Sequence, residues 1–322
     1  MMPNSSVYPL IPVVMICVAT YRRKKGIRDL LQSLDALVLS APLPDIRVIV
    51  VDNDPSAPAF ENAAEAQSNC RWPVTYELEA AQGIVCARNR CLEAVPANAD
   101  YIAFLDDDET VVPNWLTAHL STIRQTGAAA VQGPVLPIYE LPPPPWIERL
   151  GIFTLGPFQQ DARLNFAATN NVLIDAAFVR AHALRFDERF NRTGGEDEEL
   201  FDRVRALGGR IHASAAAVVL DAVPANRMTL SWVLTRWRRM GNTLGRISIY
   251  RRQGRAKRVL KGGGAIVVGT IQAIVAAPFR RDLSIRGLML AARGLGMLSA
   301  FANITTVEYS AERVNRDRVG DR

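Results

Sequence analysis

Tyr101-Ile102-Ala103-Phe104-Leu105-Asp106-Asp107-Asp108-Glu109, a short apolar run that ends in three aspartates and a glutamate, is the stretch on which the fold turns. Five apolar residues bounded by polar ones read as a strand buried on both faces. Three adjacent carboxylates at its end raise each other's pKa unless a cation sits among them. Hard divalent ions such as Mg²⁺ take one or two carboxylates plus substrate phosphates, so the triplet reads as a site for a metal-bound phosphorylated ligand. The competing reading is a solvated acidic turn.

Upstream, candidate strands at 13–19, 46–51 and 74–78 alternate with helical stretches near 28–39, 57–68 and 84–95. That alternation predicts an α/β fold with a mostly parallel, Rossmann-like sheet and helices on both faces. Ligands in such sheets lie beyond the carboxyl ends of the strands. There the sequence places Thr20-Tyr21, Asp52-Asn53-Asp54 and Asp106-Asp107-Asp108, so three strand ends converge on one acidic crevice. Asp52 and Asn53 could accept hydrogen bonds from a base or sugar edge, and Arg88, at the start of a helix, could meet a ribose or phosphate.

Downstream, a helix (113–125) and a strand (129–135) lead to a lobe boundary at Pro142–Pro145. Gly194-Gly195-Glu196-Asp197-Glu198-Glu199-Leu200 then opens a helix that runs to Gly208-Gly209, and a last body strand covers 216–220. Carboxylates at a helix N-terminus are held ionised by the dipole, and one there is suited to take a proton from a hydroxyl.

Composition bounds the rest. With 322 residues, 49% apolar, 22% charged, 21 Gly and 19 Pro, the chain reads as a folded soluble protein, which excludes a disordered, collagenous or disulfide-scaffold chain. Four cysteines without a C-x-x-C pair and three scattered histidines point to a reducing compartment and leave no zinc site, so acid/base or metal work falls on carboxylates. The net charge of +6 divides unevenly: from residue 227 onward 19 Lys and Arg face 5 Asp and Glu, against 19 and 27 before it. Residues 262–279 carry no charge and as a helix would measure about 27 Å; residues 287–307 carry only Arg293, and seven basic residues lie between Arg246 and Lys261. This pattern favours an anionic membrane surface over nucleic acid. A two-span hairpin would put Arg280, Arg281 and Arg286 on the far side, against the positive-inside rule, so helices lying in the interface fit better. The alternative is two helices packed on the soluble body. At the other end, residues 7–19 hold Pro9 and Pro12 and are followed, not preceded, by basic residues, the reverse of a signal peptide, and Val13–Ala19 reads as a buried strand.

Taken together, Val18-Ala19-Thr20-Tyr21, Val50-Val51-Asp52-Asn53-Asp54, Gly83-Ile84-x-x-Ala87-Arg88-Asn89, Phe104-Leu105-Asp106-Asp107-Asp108-Glu109 and Gly194-Gly195-Glu196-Asp197-Glu198-Glu199-Leu200 resemble, in order and spacing over residues 12–225, the family 2 glycosyltransferases of GT-A fold. Pro145-Trp146, Asn170-Asn171-Val172-Leu173 and Val223-Pro224 with the tail after them resemble the bacterial exopolysaccharide branch, of succinoglycan type. The resemblance implies inverting transfer of a hexose from a nucleotide-sugar, UDP-linked, to a lipid-linked saccharide at the cytoplasmic face of a bacterial plasma membrane. By motif, Thr20, Tyr21, Asp52 and Asn53 would surround the nucleobase and Arg88 would hold the nucleoside. Asp106 and Asp107 would line the ribose and diphosphate, Asp108 would ligate Mg²⁺ or Mn²⁺, and Asp197 would be the base with Glu196 beside it. Many relatives carry a His where this chain has Asp221. The resemblance divides the chain into a nucleotide-sugar half (1–140), an acceptor half (141–226) and a basic, apolar, membrane-associating helical region (227–322); oligomeric state is silent.

Two other classes compete. Asp106-x-Asp108-x-Thr110 after an apolar strand fits the nucleophile motif of haloacid-dehalogenase-type phosphatases, with Asp106 attacking phosphorus, although that motif usually comes after the first strand. A non-catalytic saccharide-binding scaffold of the same fold would keep the crevice and lose the base.

Overall fold

The computed structural model describes residues 11–191, 193–252 and 254–304. Residues 7–10 of the N-terminal apolar run and 305–307 of the second tail segment lie outside them. Eleven strands are present among the described residues: β1 (Val13–Thr20), β2 (Asp45–Asp52), β3 (Val74–Leu78), β4 (Tyr101–Asp106), β5 (Glu109–Val111), β6 (Ala130–Gln132), β7 (Val135–Tyr139), β8 (Arg163–Leu164), β9 (Val172–Asp175), β10 (Ile211–Ala213) and β11 (Val219–Val223). The α-helices are α1 (Lys24–Asp35), α2 (Ala63–Ser68), α3 (Ile84–Ala94), α4 (Trp115–Thr126), α5 (Pro145–Leu150), α6 (Ala176–Ala181), α7 (Glu196–Ala206), α8 (Leu230–Tyr250), α9 (Arg255–Ala276) and α10 (Arg281–Phe301).

The main sheet has eight strands in the order β3-β2-β1-β4-β9-β6-β10-β8. Its first half is parallel, with Thr20 beside Asp52 and Ala19 beside Asp106, so the three polar motifs share one edge. β9 enters antiparallel between β4 and β6, and β8 closes the far edge antiparallel to β10. A second sheet orders β5-β11-β7.

Alternate residues of the central strands go to opposite faces. Met15, Cys17, Ile49, Val51 and Phe104 pack with Val85, Ala87 and Cys91 of α3 and with Leu200, Phe201 and Val204 of α7. Val14, Ile16, Val18, Val48 and Val50 on the alternate face are fully buried too, as are Ile27, Leu30, Leu31 and Leu34 of α1. Both faces are therefore covered, as the unbroken apolar runs require.

The strand expected at 129–135 is two. At Gly133 an added Cβ would strike the Ala217 carbonyl and the Asn171 amide, and Pro134 has no N–H for a ladder, so the chain leaves the main sheet there and continues as β7 in the small one. The helix expected at 57–68 begins only at Ala63, where Asn62 accepts from the Glu65 N–H. The one expected at 28–39 begins four residues early, at Lys24, and stops at Asp35.

The chain divides into two compact units. The first takes residues 1–136, 156–188 and 200–221, and the second 137–155, 189–199 and 222–322. In the second unit, α10 packs along both α8 and α9.

Candidate active site

The crevice of the first unit is built from the residues just past the end of each parallel strand. Thr20 closes β1 and Asp52 closes β2, both buried. The Asp52 carboxylate is committed to the frame: it accepts from the Asp54 and Ala59 amides at 3.0 and 2.6 Å and from the Tyr76 hydroxyl at 2.9 Å. Asn53 bolts down the loop that launches α3, donating to the Glu79 and Ala81 carbonyls and accepting from the Gly83 amide at 2.7 Å. Gly83 can take that position because its φ is +129°, which a side chain would resist.

Each aspartate of the triplet has a basic partner. Arg88, buried in α3, donates to Asp106 Oδ1 at 2.9 Å. Asp107 accepts from the Thr20 hydroxyl at 2.8 Å and from Arg23 at 2.6 Å, and the same Arg23 nitrogen lies 3.0 Å from Asp108 Oδ2. Burial nevertheless holds the Asp107 carboxyl above its ordinary pKa, while the Asp107 charge drives that of Arg23 up. Gly26 lets α1 come this close: a Cβ there would collide with the Asp107 carbonyl. Tyr21 lies beside the triplet through its amide, 3.4 Å from Asp107 Oδ2, and Asp54 takes the guanidinium of Arg22.

Thr20, Tyr21, Arg88 and Asp106, Asp107 and Asp108 are thus brought together, with Asp52 and Asn53 as the scaffold behind them. Sequence reasoning misses Arg23 and Glu109. Glu109 is 2% exposed, accepts from the Asp106 amide at 2.8 Å, and faces Asp221 across the β5–β11 pair. Burial, with Asp106 and Asp221 adding repulsion, pushes its carboxyl well above the usual range. Its place directly after the aspartate triplet is the available signal; for Arg23 there is none beyond a basic run.

An all-oxygen donor set suits Mg²⁺ or Mn²⁺. Asp108, with its side chain 20% exposed, is placed to offer a carboxylate. Among the described residues no three acidic, His or Cys side chains form a cage. The exposed Asp108 carboxylate fits a cation that completes its shell with phosphate oxygens and water.

The second unit holds the start of α7. Gly194 and Gly195, both at positive φ, lead into Glu196, Asp197, Glu198 and Glu199 in the first turn. A Cβ on Gly195 would collide with Thr243 of α8, so only glycine lets the loop seat there. Asp197 is half-buried and accepts from the Glu198 amide at 2.7 Å, which orients its carboxylate, and Glu196 is 3% exposed.

The fold and the charge-pinned aspartates at its strand ends are those of a ligand-binding doubly wound α/β protein, and sequence comparison gives the family. A model of the family Glycosyl transferase family 2 matches residues 15–183, and the chain belongs to that family. Over 319 residues, 97% of this chain and 99% of the relative, it is 31% identical to the succinoglycan biosynthesis protein ExoM of Rhizobium meliloti (strain 1021). It is 34% identical over 113 residues to the putative glycosyltransferase EpsH of Bacillus subtilis (strain 168), 34% of this chain and 30% of that one. Among solved structures, residues 1–349 of S. aureus TarS in complex with UDP match with a TM-score of 0.51 at 16% identity, covering 90% of this chain and 92% of that one. At that identity the likeness is one of fold. Membership in this family sets aside the phosphatase reading, and Asp106 sits on the fourth strand in the grip of Arg88, not on a first strand as a nucleophile.

Proposed function

We propose that the protein transfers a hexose with inversion from a nucleotide-sugar, UDP-linked, to a hydroxyl of a lipid-linked saccharide, in exopolysaccharide synthesis at the cytoplasmic face of a bacterial plasma membrane. The observation that carries this is the aspartate triplet at the carboxyl end of β4, neutralised by Arg88 and Arg23, in a chain that matches ExoM over nearly its full length. The TarS structures with UDP and UDP-GlcNAc support the donor class.

In this reading Tyr21 and the 52–53 turn, held by Asp52 and Asn53, wall the nucleobase together with Thr20. Arg88 steadies the nucleoside, Asp106 and Asp107 border the ribose and diphosphate, and Asp108 offers its carboxylate to Mg²⁺ or Mn²⁺. Such a cation, when bound, offsets charge on the leaving diphosphate. Asp197 takes the proton of the acceptor hydroxyl as its oxygen bonds to the anomeric carbon and the bond to the diphosphate breaks, with Glu196 beside it. Functionally, residues 1–140 would bind the donor, 141–226 the acceptor, and 227–322 the membrane. No nucleic acid takes part.

Calorimetric titration with UDP and with GDP, each with and without Mn²⁺, tests the donor class without knowledge of the acceptor. Binding of UDP alone, strengthened by Mn²⁺, is the expected result. A folded protein that binds neither nucleotide would overturn the reading.

A further inference from the structure

We propose that α9 lies in the plane of an anionic lipid leaflet, inserting one face, and that neither α9 nor α10 crosses the membrane; this deepens the membrane association in the functional reading above and rests on it. By length and composition α9 is the one described helix that could span. Its packing forbids that.

The two sides of α9 are opposite in character. Gly262, Gly269 and Ala273 are buried against α10, where a Cβ on Gly269 would come within 2.5 Å of the Gly287 carbonyl and one on Gly294 within 2.5 Å of the Gly262 carbonyl. On the other side Leu260, Val267, Ile271, Ile274 and Val275 recur at helical spacing, and Phe279 lies just past the helix. Leu260 is 76% exposed, Ile271 57%, Ile274 68% and Phe279 82%. An apolar stripe of this length, bare along its whole run, exceeds what scattered surface residues produce.

The charges at the ends of the stripe and the neighbours of α10 identify what covers it. Lys257 and Lys261 are exposed at the beginning of the stripe, and Arg281 is exposed just past its end, while Arg280 pairs with Asp282 at 3.1 Å. A helix lying in the interface keeps both cationic ends at headgroup depth, where anionic lipid attracts them. A spanning helix would carry one end to the far side. Moreover, α10 is shared: Gly296 abuts the Arg238 carbonyl of α8, Gly241 of α8 abuts the Arg293 carbonyl, and Val233 of α8 packs with Ile285 and Met289. Were α9 to cross with α10 along its side, Arg236, Arg238 and Arg239 of α8 would be drawn to hydrocarbon depth, which charged side chains resist strongly. Only the outer face of α9 can enter lipid.

The test is flotation of the full-length protein with phosphatidylcholine vesicles, with and without phosphatidylglycerol. We expect flotation only with the anionic lipid, release by alkaline carbonate, and a loss of about tenfold or more in both I271D/I274D and K257E/K261E, with UDP binding unchanged in each variant. Flotation of I271D/I274D like the parent, or resistance of the parent to carbonate, would overturn the proposal. So would a fall in solution mass on I271D/I274D with vesicle binding intact, which would assign the stripe to a second copy of the chain. Absence of UDP binding in the parent, with flotation as expected, would instead strike the transferase reading and leave the docking face standing.

Discussion

Arg23 is the residue with most to say about how the crevice works. One guanidinium nitrogen serves Asp107 and Asp108 together, so the carboxylate proposed as the ligand of a divalent ion already has a cationic partner. Removing it should free Asp108: Arg23→Gln is expected to bind Mn²⁺ more tightly than the parent in the absence of nucleotide, read by electron paramagnetic resonance of free Mn²⁺, and weaker binding would show that Arg23 builds the site. Asp197→Asn is expected to lower turnover about a hundredfold or more while leaving UDP affinity unchanged; near-normal turnover would remove it as the base. His119 reports on the frame behind the site. It is fully buried, and its Nε2 meets Asn171 Oδ1, which also accepts from the Trp115 indole, while the Asn171 amide donates to the Pro134 and Ala217 carbonyls. An acceptor oxygen there requires the proton on Nε2 of a neutral ring. Burial lowers the pKa from 6.5 to about 4. A lowered folded-state pKa means the unfolded chain takes up the proton first, so stability present above pH 6.5 is lost as pH falls towards 4, by about 3 kcal/mol in all. Denaturant melts across that range should show this loss, and His119→Gln should show a flatter profile.

At the scale of elements, the four parallel strands are legible because each is an unbroken apolar run between helices, and their carboxyl ends give the aspartates directly. What the runs do not encode is direction. Nothing in Val172-Leu173-Ile174 distinguishes an antiparallel strand wedged between β4 and β6 from one more parallel neighbour, and β9 lies antiparallel to both. The break at Gly133-Pro134 is legible in principle, since proline cannot continue a central strand, but the contact that enforces it comes from Asn171 and Ala217 far along the chain. Arg23 and Glu109 escape for the same reason: their meaning lies in partners on other elements. In sequence the glycines of α9 and α10 look like weak apolar content, whereas Gly262, Gly269, Gly287, Gly294 and Gly296 are contact points between helices. Gly287→Leu should therefore separate α9 from α10 and lower the melting temperature of the protein, while Gly264→Leu, on the open side of α9 where an added Cβ meets nothing within 4 Å, should not.

For the whole molecule, nucleotide binding and folding are linked, because a ligand that binds only the folded crevice stabilises it. At a UDP concentration about 100 times its Kd the gain is about 2.7 kcal/mol, and a thermal melt with Mn²⁺ should show it for the parent and a smaller shift for Asp108→Ala. The first unit is also discontinuous, assembled from residues 1–136, 156–188 and 200–221. Its four leading strands are complete once residue 106 has been made, yet β4 gains its outer neighbour only when β9 arrives, beginning at residue 172. On the ribosome, then, a half-sheet with a bare, apolar edge must wait for some time, the state in which strands of neighbouring chains pair wrongly. From the antiparallel insertion that completes the sheet we expect the nascent chain to depend on chaperones until β9 has been made.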